Sequence, residues 1–185
     1  MESEAEHRRR AAAGVVDVHY DEHGAAKAAL VTCRTLAFAD IASEHIAITE
    51  QPRAYRSGAL YERELPCILK VIAIGPSLDL LVVDGYATLD PQDRPGLGAH
   101  AARALGIPVI GVAKTPFREA THAAQVIRGA ATRPLYVTAA GGLSIDEAAA
   151  IVAAMAGPHR LPTALARADS LARGRAQWIN PPTLT

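Results

Sequence analysis

The sequence has few cysteines and no long apolar run, and each scarcity excludes a class of protein. Cys33 and Cys67 are the two cysteines among 185 residues, too few for a disulfide framework or a four-thiolate zinc site. We predict that both are core residues in a reducing cytoplasm. No segment approaches the roughly 18 uninterrupted apolar residues of a membrane span, and the charged first ten residues lack the apolar region of a secretory signal. These absences predict a soluble, cytoplasmic protein without a membrane partner.

The chain also lacks an excess of charge of either sign. Lys and Arg together number 19, as do Asp and Glu, so no overall electric field marks the protein as a binder of nucleic acid or of anionic membrane. Twelve Pro and 14 Gly are too few for a fibrous or low-complexity chain. Half of the residues are hydrophobic, enough for one sizeable core. We therefore predict a single domain over residues 1–176 and an irregular tail over residues 177–185.

Hydrophobic periodicity predicts a chain in which helices alternate with strands after an initial run of strands. Strands are predicted at residues 13–20, 28–33, 44–49, 80–84 and 108–112, and a hairpin at 125–128 and 135–138. Helices are predicted at residues 2–10, 60–74, 96–105, 144–155 and 161–173. Pro66 should lie in the first turn of its helix, and Ser144 and Glu147 form an S-x-x-E capping box. This order predicts an α/β fold with a mixed β-sheet, an antiparallel meander plus parallel strands, flanked by helices.

Two acidic residues lie in apolar strands, where an unpaired carboxylate is costly to bury. Asp17 interrupts a valine-rich strand, and Asp84 ends one of the most hydrophobic strands of the chain. Each carboxylate needs a charge partner, hydrogen-bond donors or a metal ion. A structural aspartate held by arginine or backbone groups would meet this need, and so would a divalent-metal site with oxygen ligands from neighbouring strands.

Several other catalytic motifs are missing from the sequence. It has no H-E-x-x-H, no paired C-x-x-C, no EF-hand pattern and no G-x-S-x-G elbow. Residues 96–101 satisfy G-x-G-x-x-[GA], but they follow a proline-containing polar loop instead of a strand, so a dinucleotide site is not predicted. The acidic residues therefore remain the main candidates for chemistry.

Six ordered motifs extend from residue 13 to residue 173. They are Val16-Asp17-Val18, residues 55–66 (YRSGALYERELP), Val82-Val83-Asp84-Gly85, residues 96–100 (GLGAH), residues 110–114 (IGVAK), and Arg160-Leu161-Pro162 with Ala168-Asp169. In order and spacing they resemble the motifs of the endonuclease V family. The resemblance implies a ribonuclease H-like fold and cleavage of nucleic acid near deaminated purines, here in a diverged and shortened member.

The resemblance implies a metal site beside a pocket for an extruded base. It implies the metal ligands Asp17, Glu64, Asp84 and Asp169, which together with Lys114 form the catalytic set. It further implies the substrate-binding residues Tyr55, Gly58, Leu60, Gly85, Gly96 and His100, with Tyr55 as the inserted wedge. From the residues alone, the alternatives are that Tyr55 is a half-buried surface aromatic and that Lys114 is a solvated residue after a strand. His100 is expected to pack or hydrogen-bond on its helix and not to ligate metal.

Several positions around the motifs depart from the family pattern. The family continues V-D-G-H-G-x-x-H-P-R, whereas this chain has Tyr86, Ala87, Asp90 and Gln92 at the changed positions, and Gly142 replaces a later histidine. The metal-binding residues are kept while the surrounding residues change. These departures motivate an alternative function, a diverged member that binds nucleic acid with weak or altered cleavage specificity. A small-molecule α/β enzyme is a third hypothesis.

The activity implied by the resemblance is hydrolysis of a phosphodiester bond 3′ to deoxyinosine or inosine, and the implied partner is DNA or RNA that contains deaminated or mismatched bases. The implied cofactor is Mg²⁺, with Mn²⁺ as a substitute, because divalent ions activate water and stabilise developing negative charge. A monomer is expected. If four acidic residues serve metal ions, the rest of the chain has four more basic than acidic residues. Affinity for nucleic acid should then be modest, salt-sensitive and improved by divalent ions.

Overall fold

The computed structural model describes residues 10–57 and 59–177, and these residues build one seven-stranded sheet with helices on both faces. The strands are β1 (Arg10–Tyr20), β2 (Ala26–Cys33), β3 (Ile41–Thr49), β4 (Ser77–Asp84), β5 (Val109–Ala113), β6 (Ala124–Val126) and β7 (Leu135–Ala140). The helices are α1 (Leu60–Ala73), α2 (Leu97–Leu105), α3 (Ile145–Ala154) and α4 (Thr163–Ala172). Across the sheet the strand order is β3-β2-β1-β4-β5-β7-β6.

The sheet is mixed, as predicted from the sequence. Strands β1, β2 and β3 form an antiparallel meander, whereas β1, β4 and β5 run parallel to one another. Strand β7 returns antiparallel to β5 and carries β6 at the edge, which confirms the predicted hairpin. In the β1–β4 pair Val16 lies opposite Val83. The next residues, Asp17 and Asp84, therefore lie side by side just beyond the last β1–β4 pair, where β4 ends and β1 continues beside β2.

Each face of the sheet has its own hydrophobic core, because side chains alternate along a strand. On one face Val15 and Val82 pack with Val152 of α3 and Leu165 of α4; we call this the α3–α4 face. On the opposite face Val16, Leu81 and Val83 pack with residues of α1 and α2. Asp17 lies on the same side of β1 as Val15, and Asp84 lies on the same side of β4 as Val82. Both carboxylates therefore project toward the α3–α4 face.

The position of Pro66 was predicted wrongly. Helix α1 begins at Leu60, so Pro66 lies inside the helix and not in its first turn. Proline lacks the N–H that would bond to the carbonyl of Glu62. Pro66 is exposed, so water can satisfy that carbonyl, and the buried residues Cys67 and Ile68 hold the helix against the sheet. Tertiary packing thus compensates for the lost hydrogen bond.

Other predicted elements are confirmed with changed ends. Strands β1, β2 and β3 begin two or three residues before their predicted starts, and α4 is shorter than predicted at both ends. The capping box that begins α3 is formed by Ser144 and Glu147. The predicted helix at residues 2–10 lies outside the described residues except for Arg10, which begins β1. Of the predicted tail, residues 178–185 lie outside them as well, and the single-domain organisation stays a prediction.

Within the described ranges, no helix has the length and apolarity needed to span a membrane. Cys33 and Cys67 are both free and buried, which confirms that they are core residues.

Candidate functional site

Three carboxylates from distant parts of the chain meet at the end of the two central strands. Asp17 comes from β1, Asp84 from the end of β4, and Asp169 from α4, which covers this face of the sheet. One oxygen of each carboxylate lies within 4.8 Å of the others. We call this group the acid cluster. Its side chains are all partly buried, so water screens their mutual repulsion less than at an open surface.

The environment of Asp17 opposes its ionisation. Burial, followed by the neighbouring charge of Asp84, raises the pKa of the Asp17 carboxyl from 3.8 to about 6. Lys114 and a hydrogen bond from the backbone N–H of Val18, 2.9 Å from Asp17 Oδ1, oppose this rise without cancelling it. A carboxylate with a raised pKa gains much from a positive ion placed beside it.

Glu64 faces the acid cluster from α1 but is not one of its three members. Burial raises the pKa of the Glu64 carboxyl to about 7, with further contributions from the negative charges of Asp17 and Asp84. These contributions place Glu64 within electrostatic reach of the cluster. The four acids predicted from the sequence therefore occupy one region, with three of them close enough to share an ion.

Lys114 follows β5 and points its ammonium group into the acid cluster. The Nζ atom lies 2.5 Å from Asp84 Oδ2 and 3.7 Å from Asp169 Oδ1. Burial lowers the pKa of the lysine, but the hydrogen bond to Asp84 and the surrounding carboxylates outweigh it, so the pKa is raised. Lys114 is therefore a partly buried cation that is paired with two carboxylates of the cluster.

Asp169 is held by a partner that the sequence analysis missed. Arg173, one helical turn further along the chain, donates its Nε–H to Asp169 Oδ1 at 2.9 Å. Burial opposes ionisation of Asp169, but this hydrogen bond and the charge of Lys114 outweigh it and lower the pKa of the carboxyl. The i,i+4 spacing of Asp169 and Arg173 was visible in the sequence and could have identified the pair.

The donor set of the acid cluster fits a hard divalent cation. Three carboxylates converging at one point are the oxygen ligands that Mg²⁺, Mn²⁺ and Ca²⁺ prefer. Burial, and after it the negative charge of Asp84, raises the pKa of Asp17. The cluster could therefore hold a metal ion.

Two further arginines, outside the predicted site, order the backbone around Lys114. Arg160 donates from Nη2 to the carbonyl oxygen of Lys114 at 2.5 Å and to that of Pro134 at 2.7 Å. Arg128 is buried and donates to four carbonyl oxygens of the segment that connects α3 with α4, those of Met155, Gly157, His159 and Arg160. Arg128 thus orders the segment that presents Arg160. A buried arginine is scarcely visible in one sequence, because arginine usually lies at the surface.

Gly85 and Gly96 border the chain segment that follows Asp84. Gly85 has a φ of 129°, a conformation that other residues adopt with strain. Its N–H donates to the carbonyl of Val112 at 2.9 Å, which ties the segment to β5. A Cβ atom at Gly96 would lie 2.7 Å from the carbonyl oxygen of Tyr86, so only glycine allows this close approach. The structure brings these two predicted residues together.

His100 and the wedge candidate lie further out. The ring of His100 stacks on Tyr61, with centroids 3.6 Å apart and planes 11° from parallel, which confirms that it packs on its neighbours. Tyr55 and Leu60 are 61% and 45% exposed. Tyr55 is thus free to contact a substrate, and it is not the half-buried aromatic considered as the alternative. Gly58 lies outside the described residues.

The residues that depart from the family pattern have structural partners. The Tyr86 hydroxyl donates to the Thr115 carbonyl and accepts from the Phe117 N–H, both at 2.9 Å. Ala87 is buried, and its N–H donates to Thr138 Oγ1 at 2.8 Å. Asp90 forms an ion pair with Arg94. Gly142 has a φ of 88°, and Gln92 donates its backbone N–H to Asp90.

Comparison with known proteins identifies relatives over most of the chain. A family model described as Endonuclease V matches residues 1–132. The endonuclease V of Streptomyces coelicolor is 34% identical over 181 residues, which cover 85% of this chain and 76% of that protein. The crystal structure of the endonuclease V of Streptomyces avermitilis gives a TM-score of 0.71 at 30% identity, covering 88% of this chain and 79% of that one.

A more distant structure has the same fold. It is the crystal structure of Ciona intestinalis endonuclease V in complex with a 23-mer DNA containing an inosine followed by a ribo-adenosine. Its TM-score is 0.74 at 18% identity, over 88% of this chain and 83% of that chain. Together with the mixed sheet, these structures confirm the predicted ribonuclease H-like fold.

Proposed function

Because the chain belongs to the endonuclease V family, we propose that it is a metal-dependent endonuclease that hydrolyses the phosphodiester bond 3′ to a deaminated purine. The observation that carries this proposal is the acid cluster, in which oxygens of Asp17, Asp84 and Asp169 lie within 4.8 Å of one another beside Lys114. The substrate class is further supported by the inosine-containing DNA bound to the Ciona intestinalis relative. Deoxyinosine in DNA and inosine in RNA share the recognised base.

We assign Mg²⁺ as the cofactor, with Mn²⁺ as a substitute. Asp17, Asp84 and Asp169 would hold the metal, and Glu64 would support it through water from its position on α1. When bound, divalent ions activate water and stabilise negative charge that develops on phosphoryl oxygens. Carboxylate oxygens are the ligands these hard cations prefer.

Lys114 supplies the one ammonium group of the predicted catalytic set. Its Nζ atom already contacts Asp84 and Asp169, so it is placed to donate a hydrogen bond to a phosphate oxygen brought to the same carboxylates. Arg173 keeps Asp169 ionised and oriented, and Arg160 orders the Lys114 backbone. The chain's own residues therefore position the acids, the lysine and the phosphate.

The base-recognition site is proposed at the chain segment that follows Asp84. A Cβ atom at Gly85 would meet nothing within 4 Å, so its backbone is open to a ligand, whereas Gly96 lets the Tyr86 carbonyl pack closely against it. The exposed ring of Tyr55 would take over stacking when a base is extruded. Gly58, Leu60 and His100 complete the proposed binding set. All catalytic carboxylates come from one chain, which supports action as a monomer. The cytoplasmic location stays a prediction.

Cleavage of defined oligonucleotides tests the proposal. Labelled single and double strands with one inosine, and matched strands with guanine, are incubated with the protein in Mg²⁺, in Mn²⁺ and in EDTA. We expect cleavage of the inosine strand alone, one phosphodiester beyond the inosine, with 3′-hydroxyl and 5′-phosphate ends. DNA and RNA strands are compared in parallel, so that the preferred nucleic acid is read directly.

Two variants separate catalysis from folding. Asp84→Asn keeps the shape of a cluster residue but removes its charge, and we expect it to lower the cleavage rate by about 10³-fold or more, as loss of a main electrostatic group does. Asp146→Asn, an exposed acid on α3, is the matched control and should keep full activity. Absence of cleavage by the wild-type protein in both metals, with binding retained, would favour the binding-only alternative.

A further inference from the structure

A shallow cleft with a volume of about 180 Å³ lies beside the acid cluster, where the β1–β2 hairpin meets the end of α4. Three side chains that can donate hydrogen bonds to an anion line it, namely His19, Lys27 and Arg173. Asp21 and Ile48 also border it. We call it the basic cleft. None of these residues belongs to the acid cluster or to the motifs that identify the family.

The basic cleft is continuous with the acid cluster through two elements. His19 lies two residues after Asp17, so their side chains share a face of β1 and are separated by about 7 Å along the strand. Lys27 is the β2 residue paired with His19, and it shares the same face. On the other side, Arg173 bonds directly to Asp169. A nucleic-acid strand bound at the acid cluster would therefore reach the basic cleft next.

Arg173 donates its Nε–H to Asp169, whereas the other two donors of the basic cleft are available to a ligand. Among residues 10–57 and 59–177, neither the Lys27 ammonium nor the His19 imidazole makes a hydrogen bond or an ion pair. A Cβ atom added to Gly174 would lie 3.3 Å from Lys27 Nζ, so the ammonium lies against the backbone that follows Arg173. Asp21 is used within the turn, where its Oδ1 accepts from the N–H groups of His23 and Ala25, each at 2.9 Å.

We infer that the basic cleft binds a phosphate of the cleaved strand, one nucleotide away from the phosphate that is hydrolysed. This inference rests on the proposed function and adds a contact that places the substrate. An ammonium group and a guanidinium with free N–H groups are the donors that phosphate oxygens recruit. Backbone contacts of this kind set the register of a strand without reading its sequence.

A binding and cleavage comparison tests the contact. Lys27→Ala is compared with Arg34→Ala, a basic surface residue at the opposite end of β2. Binding of a labelled inosine oligonucleotide is measured in Ca²⁺ at several salt concentrations, and cleavage in Mg²⁺. Lys27→Ala should raise Kd and KM about fivefold to tenfold, with little change in kcat. The slope of log affinity against log salt should become about 0.7 to 0.9 less steep, as expected for one lost phosphate contact. Arg34→Ala should change none of these.

A neutral phosphate locates the contact within the substrate. Oligonucleotides carry a single methylphosphonate at successive linkages, which removes the charge of one phosphate at a time. A methylphosphonate at the linkage next to the cleaved bond should weaken binding by the wild-type protein about fivefold to tenfold. The same methylphosphonate should not weaken binding by Lys27→Ala any further. The inference is overturned if Lys27→Ala behaves like Arg34→Ala. It is also overturned if the losses of affinity caused by Lys27→Ala and by the methylphosphonate multiply at every linkage. Cleavage that persists in those cases leaves the proposed function intact, whereas wild-type protein that neither binds nor cleaves contradicts both.

Discussion

Asp17 combines partial burial, a neighbouring carboxylate and a nearby lysine, and the balance among them leaves its carboxyl with a pKa of about 6. The native protein therefore holds a proton on Asp17 at pH values where the unfolded chain has released it. The proton bound in the native state contributes stability that is fully present below pH 3.8 and is lost as the pH rises through about 6. In the metal-free protein, a neutral side chain at this position would be favoured at higher pH.

The pH dependence of one substitution tests this balance. Without divalent ions, Asp17→Asn should match the wild-type stability near pH 4 and exceed it by about 2–3 kcal/mol at pH 8, the cost of a shift of roughly two pKa units. Urea unfolding at both pH values measures the difference. Addition of Mn²⁺ should raise the melting temperature of the wild-type protein more than that of Asp17→Asn. Equal stability of the two proteins at pH 8 would contradict the raised pKa.

At the scale of the elements, the placement of α4 decides whether the acid cluster exists. Helix α4 carries Asp169 and packs on β1 through Leu165 and other apolar residues. It is also tied to β3, because Arg167 donates to both oxygens of the buried Glu44 at 2.6 and 3.0 Å. The segment between α3 and α4 is ordered by Arg128, which donates hydrogen bonds to the carbonyls of Met155 and His159. Charged contacts thus align the helix, and apolar burial holds it on the sheet.

Arg128→Met should destabilise the protein by about 2–4 kcal/mol, because four carbonyls lose a charged hydrogen-bond donor in a place with little water. Arg133→Met, at an exposed position of the neighbouring loop, should change stability by less than about 0.5 kcal/mol. Urea unfolding of both variants measures the difference. An Arg128→Met protein as stable as Arg133→Met would show that the α3–α4 connection orders itself without the arginine.

Across the whole molecule, a balanced total charge hides an uneven distribution. Three carboxylates meet at one edge of the sheet and Glu64 faces them, whereas the remaining residues carry an excess of four basic groups. Nucleic acid that approaches this edge meets repulsion from the acids and attraction from the surrounding basic groups. Bound divalent ions neutralise most of the first contribution.

Affinity for DNA should therefore depend on divalent ions. We expect the wild-type protein to bind an inosine strand about tenfold more tightly in Ca²⁺ than in EDTA, a coupling of about 1.4 kcal/mol. Binding should weaken steeply as salt rises. In EDTA, Asp84→Asn should bind more tightly than the wild type, because one repelling charge is removed. Fluorescence anisotropy at matched ionic strength measures each value, and equal affinities in Ca²⁺ and EDTA would contradict the expectation.

The sequence by itself determined the order of the elements and the candidate ligands. Apolar patterns located the strands of the meander, and short continuous apolar runs located β4 and β5, because such patterns are a local property of the chain. The capping box of Ser144 and Glu147 likewise depends on residues three positions apart. An acid inside a valine-rich strand and an acid at the end of an apolar strand identified Asp17 and Asp84, since an uncompensated carboxylate there is costly.

Only the tertiary structure decided which of these residues meet. It brought Asp169 to the two strand aspartates, left Glu64 outside this group of three, and aimed Lys114 at Asp84. Pro66 fell inside α1 because packing of the helix on the sheet outweighs the missing hydrogen bond. Arg128, Arg160 and the basic cleft arise from contacts across long stretches of chain. Such contacts depend on the relative placement of whole elements, which no local pattern of residues encodes.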